Sequence, residues 1–165
     1  MSGFTEFSAP LNLEYDYEAS KILDADYWRV TQEFRYYIKG QDDRTWVDVP
    51  AGYLTDGASV PRIFWSLIPP WGAYGQAAVV HDILCESLSF TVNGKAHSIA
   101  RKTCDDILLE TMNVLGVPFL KCQIIHKAVS LYRIFSGVDK ATISEKKRAL
   151  EVEWTAPPPA CQYEL

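Results

Sequence analysis

The hydrophobic pattern of this sequence changes its period near Pro61, and this change limits what the chain can fold into. Between residues 11 and 49, apolar and polar side chains alternate, which is typical of half-buried strands. Beyond residue 61, apolar side chains recur every three or four positions, which is typical of amphipathic helices. We therefore expect an α+β fold in which an N-terminal antiparallel sheet packs on a C-terminal helical layer.

The alternating part predicts three strands, at residues 11–18, 28–38 and 45–49. In the second of these, Arg29 and Arg35 belong to the polar face, and the third strand returns as its hairpin partner. A further hairpin is predicted at Asn93-Gly94, because this dipeptide favours a tight turn between strands.

The second half of the chain predicts five helices. They cover residues 62–68, 75–88, 98–115 with Ser98 as N-cap, 119–136, and a last helix that starts at Thr142 with a capping box to Glu145.

Length and composition predict one α+β domain at residues 1–154, followed by an extended, proline-rich C-terminal arm at 155–165. A net charge of -5 argues against nucleic-acid binding. No leader and no run of about 18 apolar residues is found, so we expect synthesis in a cytoplasm and no membrane insertion. The four cysteines form no CxxC pair, which favours buried free thiols over a zinc ribbon.

The stretch AAVVHD at residues 77–82 ends an apolar helical run with two ionisable residues. On a helix, His81 shares a face with Ala77, Leu84 and Cys85, so its ring should point inward. A satisfied core histidine and a functional residue both fit this position.

In CDDILLETM, at residues 104–112, Asp105 lies on the same helical face as Leu108 and Met112. A buried carboxylate is costly unless it is paired, hydrogen-bonded or bound to a metal. Arg101, four residues earlier, offers an ordinary ion pair. The functional alternative places Asp105 opposite His81 or Asp82 across a contact between two helices.

A third polar element is the glycine-containing stretch VPAGYLTDGASVPR at residues 49–62, where the strand pattern gives way to the helical one. It contains Asp56, Ser59 and Arg62, and loops between rigid elements often carry sites. Helix capping by Ser59 and backbone hydrogen bonds to Asp56 are the structural alternatives.

These three motifs, in this order, resemble the phage and prophage family catalogued as domain of unknown function 1353, over about residues 28–135. The resemblance implies that the chain is encoded by a tailed bacteriophage or prophage. The chain departs from the family pattern at two places. Soon after His-Asp, where the family has an aromatic residue, it has Ile83-Leu84-Cys85, and it also contains an inserted hairpin at residues 89–97. The matching positions are Asp56, Ser59, Pro61, Arg62, His81, Asp82 and Asp105.

Three classes of function follow as expectations. The first is a virion component, of the tail or baseplate, that contacts other phage structural proteins through the C-terminal arm and resides in the virion. The second is a hydrolase, including one that degrades the cell wall, in which His81, Asp82 and Asp105 bind a divalent metal such as zinc. A Ser59, His81, Asp105 triad is a variant of this class. The third is a small phage protein that binds a host factor.

Overall fold

The computed structural model describes residues 6–40, 44–57 and 72–154, and its architecture is α+β as predicted. The strands are β1 (Leu13–Tyr15), β2 (Trp28–Val30), β3 (Phe34–Tyr37), β4 (Thr45–Val49), β5 (Leu54–Thr55), β6 (Ser89–Val92) and β7 (Lys95–Ser98). The helices are α1 (Tyr17–Leu23), α2 (Gly75–Ser87), α3 (Arg101–Val114), α4 (Phe119–Ser136) and α5 (Glu145–Val152). The predicted helix 62–68 and the arm 155–165 lie outside the described residues.

The strands form two antiparallel sheets rather than one. The smaller sheet has the order β1-β2-β5, and the larger has the order β3-β4-β6-β7. The prediction of one strand over residues 28–38 was therefore wrong, because β2 and β3 belong to different sheets. Alternation tells which face a side chain occupies but not which backbone its strand pairs with. The burial it implies is right, since Val30, Phe34 and Tyr36 are all buried.

The predicted strand 11–18 is also shorter than expected, because a helix begins within it. The Asp16 side chain accepts a hydrogen bond from the Ala19 amide at 2.8 Å and caps α1. The same carboxylate pairs with Arg29, whose Nε donates to it at 2.7 Å. Arg29 is therefore buried, although alternation placed it on the polar face.

Two predicted helix starts were wrong. Ser98 ends β7, where it pairs with Ser89, and α3 begins after Ala100 without a side-chain cap. The last helix begins at Glu145 instead of Thr142, because the Ser144 side chain accepts the Lys147 amide and caps it. At the last helix both Thr142 and Ser144 have capping side chains, and sequence alone does not rank them.

The remaining predicted elements are confirmed. The helices at 75–88 and 119–136 correspond to α2 and α4, and 45–49 is β4, the hairpin partner of β3. The hairpin β6–β7 turns at Asn93 and Gly94 with φ values of 49° and 79°, the left-handed region that this dipeptide tolerates.

The core has two apolar clusters, and α2 and α3 contribute to both. One lies between the larger sheet and α2, and the other between α2, α3 and α4. Cys85, Cys104 and Cys122 are buried free thiols, as expected, and Cys161 lies outside the described residues. Among the described residues, no helix combines the length and apolarity needed to cross a membrane. Polar side chains between α2 and α3 are thus surrounded by apolar packing.

Candidate functional site

The structure places His81 and Asp105 against each other between α2 and α3. His81 Nε2 lies 3.0 Å from Asp105 Oδ1, and the two side chains are 4% and 1% exposed. Each residue occupies the inward face that helical spacing predicted for it. The two ionisable groups satisfy one another in the interior, as buried polar groups require.

A third residue, Arg133 of α4, completes this polar network. Its Nε donates to the second oxygen of Asp105 at 2.9 Å. Burial by itself would raise the pKa of Asp105, but the hydrogen bonds and charges of His81 and Arg133 outweigh it and lower that pKa. Asp105 is therefore an ionised carboxylate at neutral pH. Its cation partner is Arg133, whereas the sequence had suggested Arg101.

The ionised Asp105 determines which nitrogen of His81 carries the proton in the neutral ring. A carboxylate only accepts hydrogen bonds, so His81 Nε2 must be the donor. The other nitrogen, Nδ1, then keeps its lone pair, and it is buried without a hydrogen-bond partner among the described residues. The ring is thus oriented from one side and has an unused acceptor on the other.

Cys85, one turn after His81 on α2, lies beside the same ring. Its Sγ is 3.4 Å from His81 Nε2. The neighbouring Cys104 and burial raise the pKa of the Cys85 thiol far above its usual range. Cys85 is therefore a neutral thiol, and a cysteine nucleophile requires a thiolate.

Asp82 is turned by about 100° from His81 around α2, because consecutive helical residues differ by this angle. It accepts a hydrogen bond from Thr55 Oγ1 of β5 at 2.8 Å. Asp56 follows Thr55 in the chain, and it lines one cavity together with His81 and Asp82. Ser59 and Arg62, the other predicted members of the site, lie outside the described residues.

A buried lysine, Lys147, lines the same cavity from α5. Lys147 of α5 pairs with Glu86 of α2, lies 3.4 Å from Glu151, and stacks 4.1 Å from the centre of the Tyr53 ring. Burial raises the pKa of Glu86, although the charge of Lys147 acts against this shift. These contacts attach α5 to α2 beside the histidine.

These groups surround one cavity of about 430 Å³, which is within the range of small-molecule sites. Its polar lining comes from several elements: Asp56, His81, Asp82, Glu86, Arg101, Asp105, Arg133 and Lys147. Burial and the carboxylates of Asp56, Glu86 and Asp82 also raise the pKa of Tyr27, a further lining residue. The cavity therefore combines acidic, basic and imidazole groups.

The structure gives no ready metal centre in the part of the chain that it describes. Across residues 6–40, 44–57 and 72–154, no group of three or more His, Cys, Asp or Glu side chains is placed to hold a metal ion. Two of the three predicted ligands, His81 and Asp105, bond to each other, while Asp82 bonds to Thr55.

Sequence reasoning missed Arg133 and Lys147 as site residues. Arg133 carried a usable signal, because it stands four residues after the buried Val129 on the apolar helix α4. Lys147 carried none, since α5 is polar on nearly all sides and its one buried residue is this lysine.

No solved structure matches the chain. The uncharacterized protein y4jT of Sinorhizobium fredii (strain NBRC 101917 / NGR234) is 41% identical over 86 residues, which are 51% of this chain and 23% of that protein. The family described as "Protein of unknown function (DUF1353)" matches residues 28–129, a range that includes His81 and Asp105. This match covers more than half of the chain and confirms the predicted family, while the phage origin stays a prediction. The chain belongs to the DUF1353 family.

Proposed function

We propose that the cavity is the active site of a hydrolase in which His81 is the general base. The observation that carries this proposal is the set of contacts around the imidazole ring. Its Nε2 is held by an ionised carboxylate, and its Nδ1 has no partner among the described residues. A histidine oriented in this way, in a cavity of substrate size, is equipped to accept a proton.

The chemistry follows from the two nitrogens. Substrate binding must admit one water molecule to the buried Nδ1 of His81. Nδ1 takes a proton from this water as the water oxygen bonds to the acyl carbon of the substrate, and the π electron pair of the C=O bond moves onto the carbonyl oxygen. That pair then re-forms the C=O bond as the bond from the carbon to the leaving group breaks, and the leaving group takes the proton from Nδ1. Asp105 remains ionised throughout and stabilises the imidazolium that forms between the two steps.

Peptidoglycan is the substrate that we propose together with a phage origin of the chain, because phage entry and release both require an opening in the cell wall. The test measures the release of soluble fragments from purified sacculi by the wild-type chain. His81→Ala should reduce the release at least 100-fold, which is the usual contribution of a general base. His97→Ala, in the exposed strand β7, is the matched control and should retain the wild-type rate.

Two outcomes would count against this proposal: no release of fragments by the wild-type chain, or equal release by His81→Ala. A parallel assay with a chelator distinguishes a hydrolase that acts through His81 alone from one that needs a metal. Activity that persists in the chelator agrees with direct action of His81 on water. Loss that zinc restores would instead favour the metal-dependent version predicted from the sequence.

We also propose that the chain is a component of a virion, and one observation on α4 supports this second function. Large apolar side chains stand exposed along one side of this helix, at Leu120, Ile124, Leu131 and Phe135, the last of them 85% exposed. Contiguous exposed apolar surface is typical of a face that another protein covers. The proposed partner is a neighbouring phage structural protein of the tail or baseplate.

The test of the second function is mass spectrometry of purified particles that contain the wild-type chain or Leu131→Ser with Phe135→Ser. The double variant should fold normally and be absent from particles, whereas Lys146→Ser, an exposed polar control on α5, should be present. Deletion of residues 155–165, the predicted docking arm, should also prevent incorporation while leaving the melting temperature nearly unchanged. Absence of the wild-type chain from particles would refute the proposal.

A further inference from the structure

Two arginines line the cavity beside the same short loop. Arg101 begins α3, and its Nη1 lies 3.5 Å from the Lys140 carbonyl oxygen. Arg133 lies near the end of α4, and its Nη1 is 3.9 Å from Asp139 Oδ1. Since residues 139 and 140 are adjacent, the two guanidinium groups share one region of the cavity wall.

One positive charge in this region, that of Arg101, is not paired with a carboxylate among the described residues, whereas Arg133 is paired with Asp105. Arg133 donates its Nε to Asp105, so its two Nη groups take no part in that hydrogen bond. Asp139 is 78% exposed and at the limit of ion-pair distance, so it neutralises little. Arg101 has no carboxylate within ion-pair distance among residues 6–40, 44–57 and 72–154.

The carboxylates of the cavity belong mostly to other elements. Asp56 follows β5, and Asp82 and Glu86 belong to α2, whereas the two arginines come from α3 and α4. His81 joins the two sets, because it is part of α2 and bonds to α3. A bound molecule would therefore meet positive charge on the α3 and α4 side and negative charge on the α2 and β5 side.

We infer that Arg101 and Arg133 form an anion-binding subsite that holds a carboxylate or phosphoryl group of the substrate next to His81. Planar guanidinium groups suit this task because each donates two parallel hydrogen bonds to paired oxygens. Arg101 has no carboxylate partner among the described residues, and a bound anion would neutralise its charge. The inference rests on the proposed function in one respect, that the anion is part of the hydrolysed molecule.

Binding is measured on the full chain by amide chemical-shift titration with inorganic phosphate and with acetate, at constant ionic strength set by sodium chloride. These probes separate a phosphoryl subsite from a carboxylate subsite. We expect saturable shifts at residues 101–105 and 133–140 with one of the two anions. Shifts with neither anion, or shifts that spread over the surface without saturation, would overturn the inference.

Arg101→Gln is the decisive variant, because Arg101 makes no contact with Asp105 that its loss would disturb. It should weaken anion binding about tenfold or more, the effect of losing one charged hydrogen bond. Arg101→Lys should recover part of the affinity, since it keeps the charge without the planar fork. Lys102→Gln is the matched control, because Lys102 is next to Arg101 in the chain but is exposed and paired with Asp106. The affinity of this variant for the anion should stay within about twofold of wild type.

An affinity for phosphate and acetate that is unchanged in Arg101→Gln would refute the subsite. The two proposals fail separately, because anion binding needs no turnover. Loss of binding in Arg101→Gln together with an inactive wild-type chain would keep the subsite and remove the hydrolase. Anion binding that is unchanged in Arg101→Gln, together with a strong effect of His81→Ala on turnover, would refute the subsite and keep the hydrolase.

Discussion

His81 Nε2 and Asp105 Oδ1 lie 3.0 Å apart and join α2 to α3 in the interior of the domain. The contact has two consequences that are separable by experiment. It contributes to stability, because it satisfies two buried polar groups. It also fixes the imidazole with Nδ1 as the remaining acceptor, which the proposed hydrolysis uses.

Asp105→Asn should destabilise the protein by about 2 kcal/mol, because the amide still accepts a bond from His81 but no longer neutralises Arg133. Urea unfolding measures the change. Asp106→Asn is the matched control, since Asp106 is exposed and its partners are the exposed Lys102 and, at 3.5 Å, the partly buried His126. The control should change the free energy of unfolding by less than about 0.5 kcal/mol. Equal effects of the two variants would show that Asp105 is not a buried partner.

The pH dependence of stability tests the ionisation of Asp105. The folded pKa of Asp105 is below the value of 3.8 that it takes when unfolded, so the unfolded chain binds the proton more readily. The stability that this carboxylate contributes is therefore full well above pH 3.8 and is lost as the pH falls through the folded pKa. The difference in unfolding free energy between wild type and Asp105→Asn should shrink over that range. A constant difference down to pH 2 would contradict the assignment.

The inward orientation of His81 and of Asp105 could be predicted, because it depends only on the residue spacing within each helix. Each residue stands on the apolar face of its own helix, and a helix buries that face whatever its neighbours are. The same reasoning located α2 and α4. It needed no knowledge of which helix packs on which.

Arg29 and Arg133 show where such reasoning stops. Arg29 belongs to the polar face of β2, yet it is buried because Asp16 and the carbonyl oxygens of Gly52 and Leu150 surround it. Leu150 is 121 residues away in the chain. Contacts at such separations depend on how the elements assemble, and no local period records them.

Asp16 has two roles that a pair of substitutions separates. It caps α1 through the Ala19 amide and pairs with the buried Arg29. Asp16→Asn keeps a capping oxygen and loses the charge, whereas Asp16→Ala loses both. Thermal unfolding should therefore show a larger loss for Asp16→Ala, by about 1 kcal/mol, the usual value of an N-cap. Equal losses would show that the cap contributes nothing and that the ion pair carries the whole effect.

Lys147 should control whether α5 stays attached to the domain. It is the one residue that the structure describes as buried in this helix, and it contacts Glu86, Glu151 and the ring of Tyr53. Since α5 buries little apolar surface, its attachment depends on these polar contacts, on the bond from the Leu54 amide to Glu151 and on the bond from Arg29 to the Leu150 carbonyl.

Lys147→Ala should therefore release α5 while the rest of the core remains folded, because removal of the lysine leaves Glu86 partly buried without its cation. Hydrogen exchange read by mass spectrometry should then be faster at residues 145–154, with little change in α3. Lys146→Ala, at the exposed neighbouring position, is the control and should exchange like wild type. Unchanged protection of α5 in Lys147→Ala would mean that other contacts hold the helix. Faster exchange throughout the chain would mean that α5 unfolds only together with the whole domain.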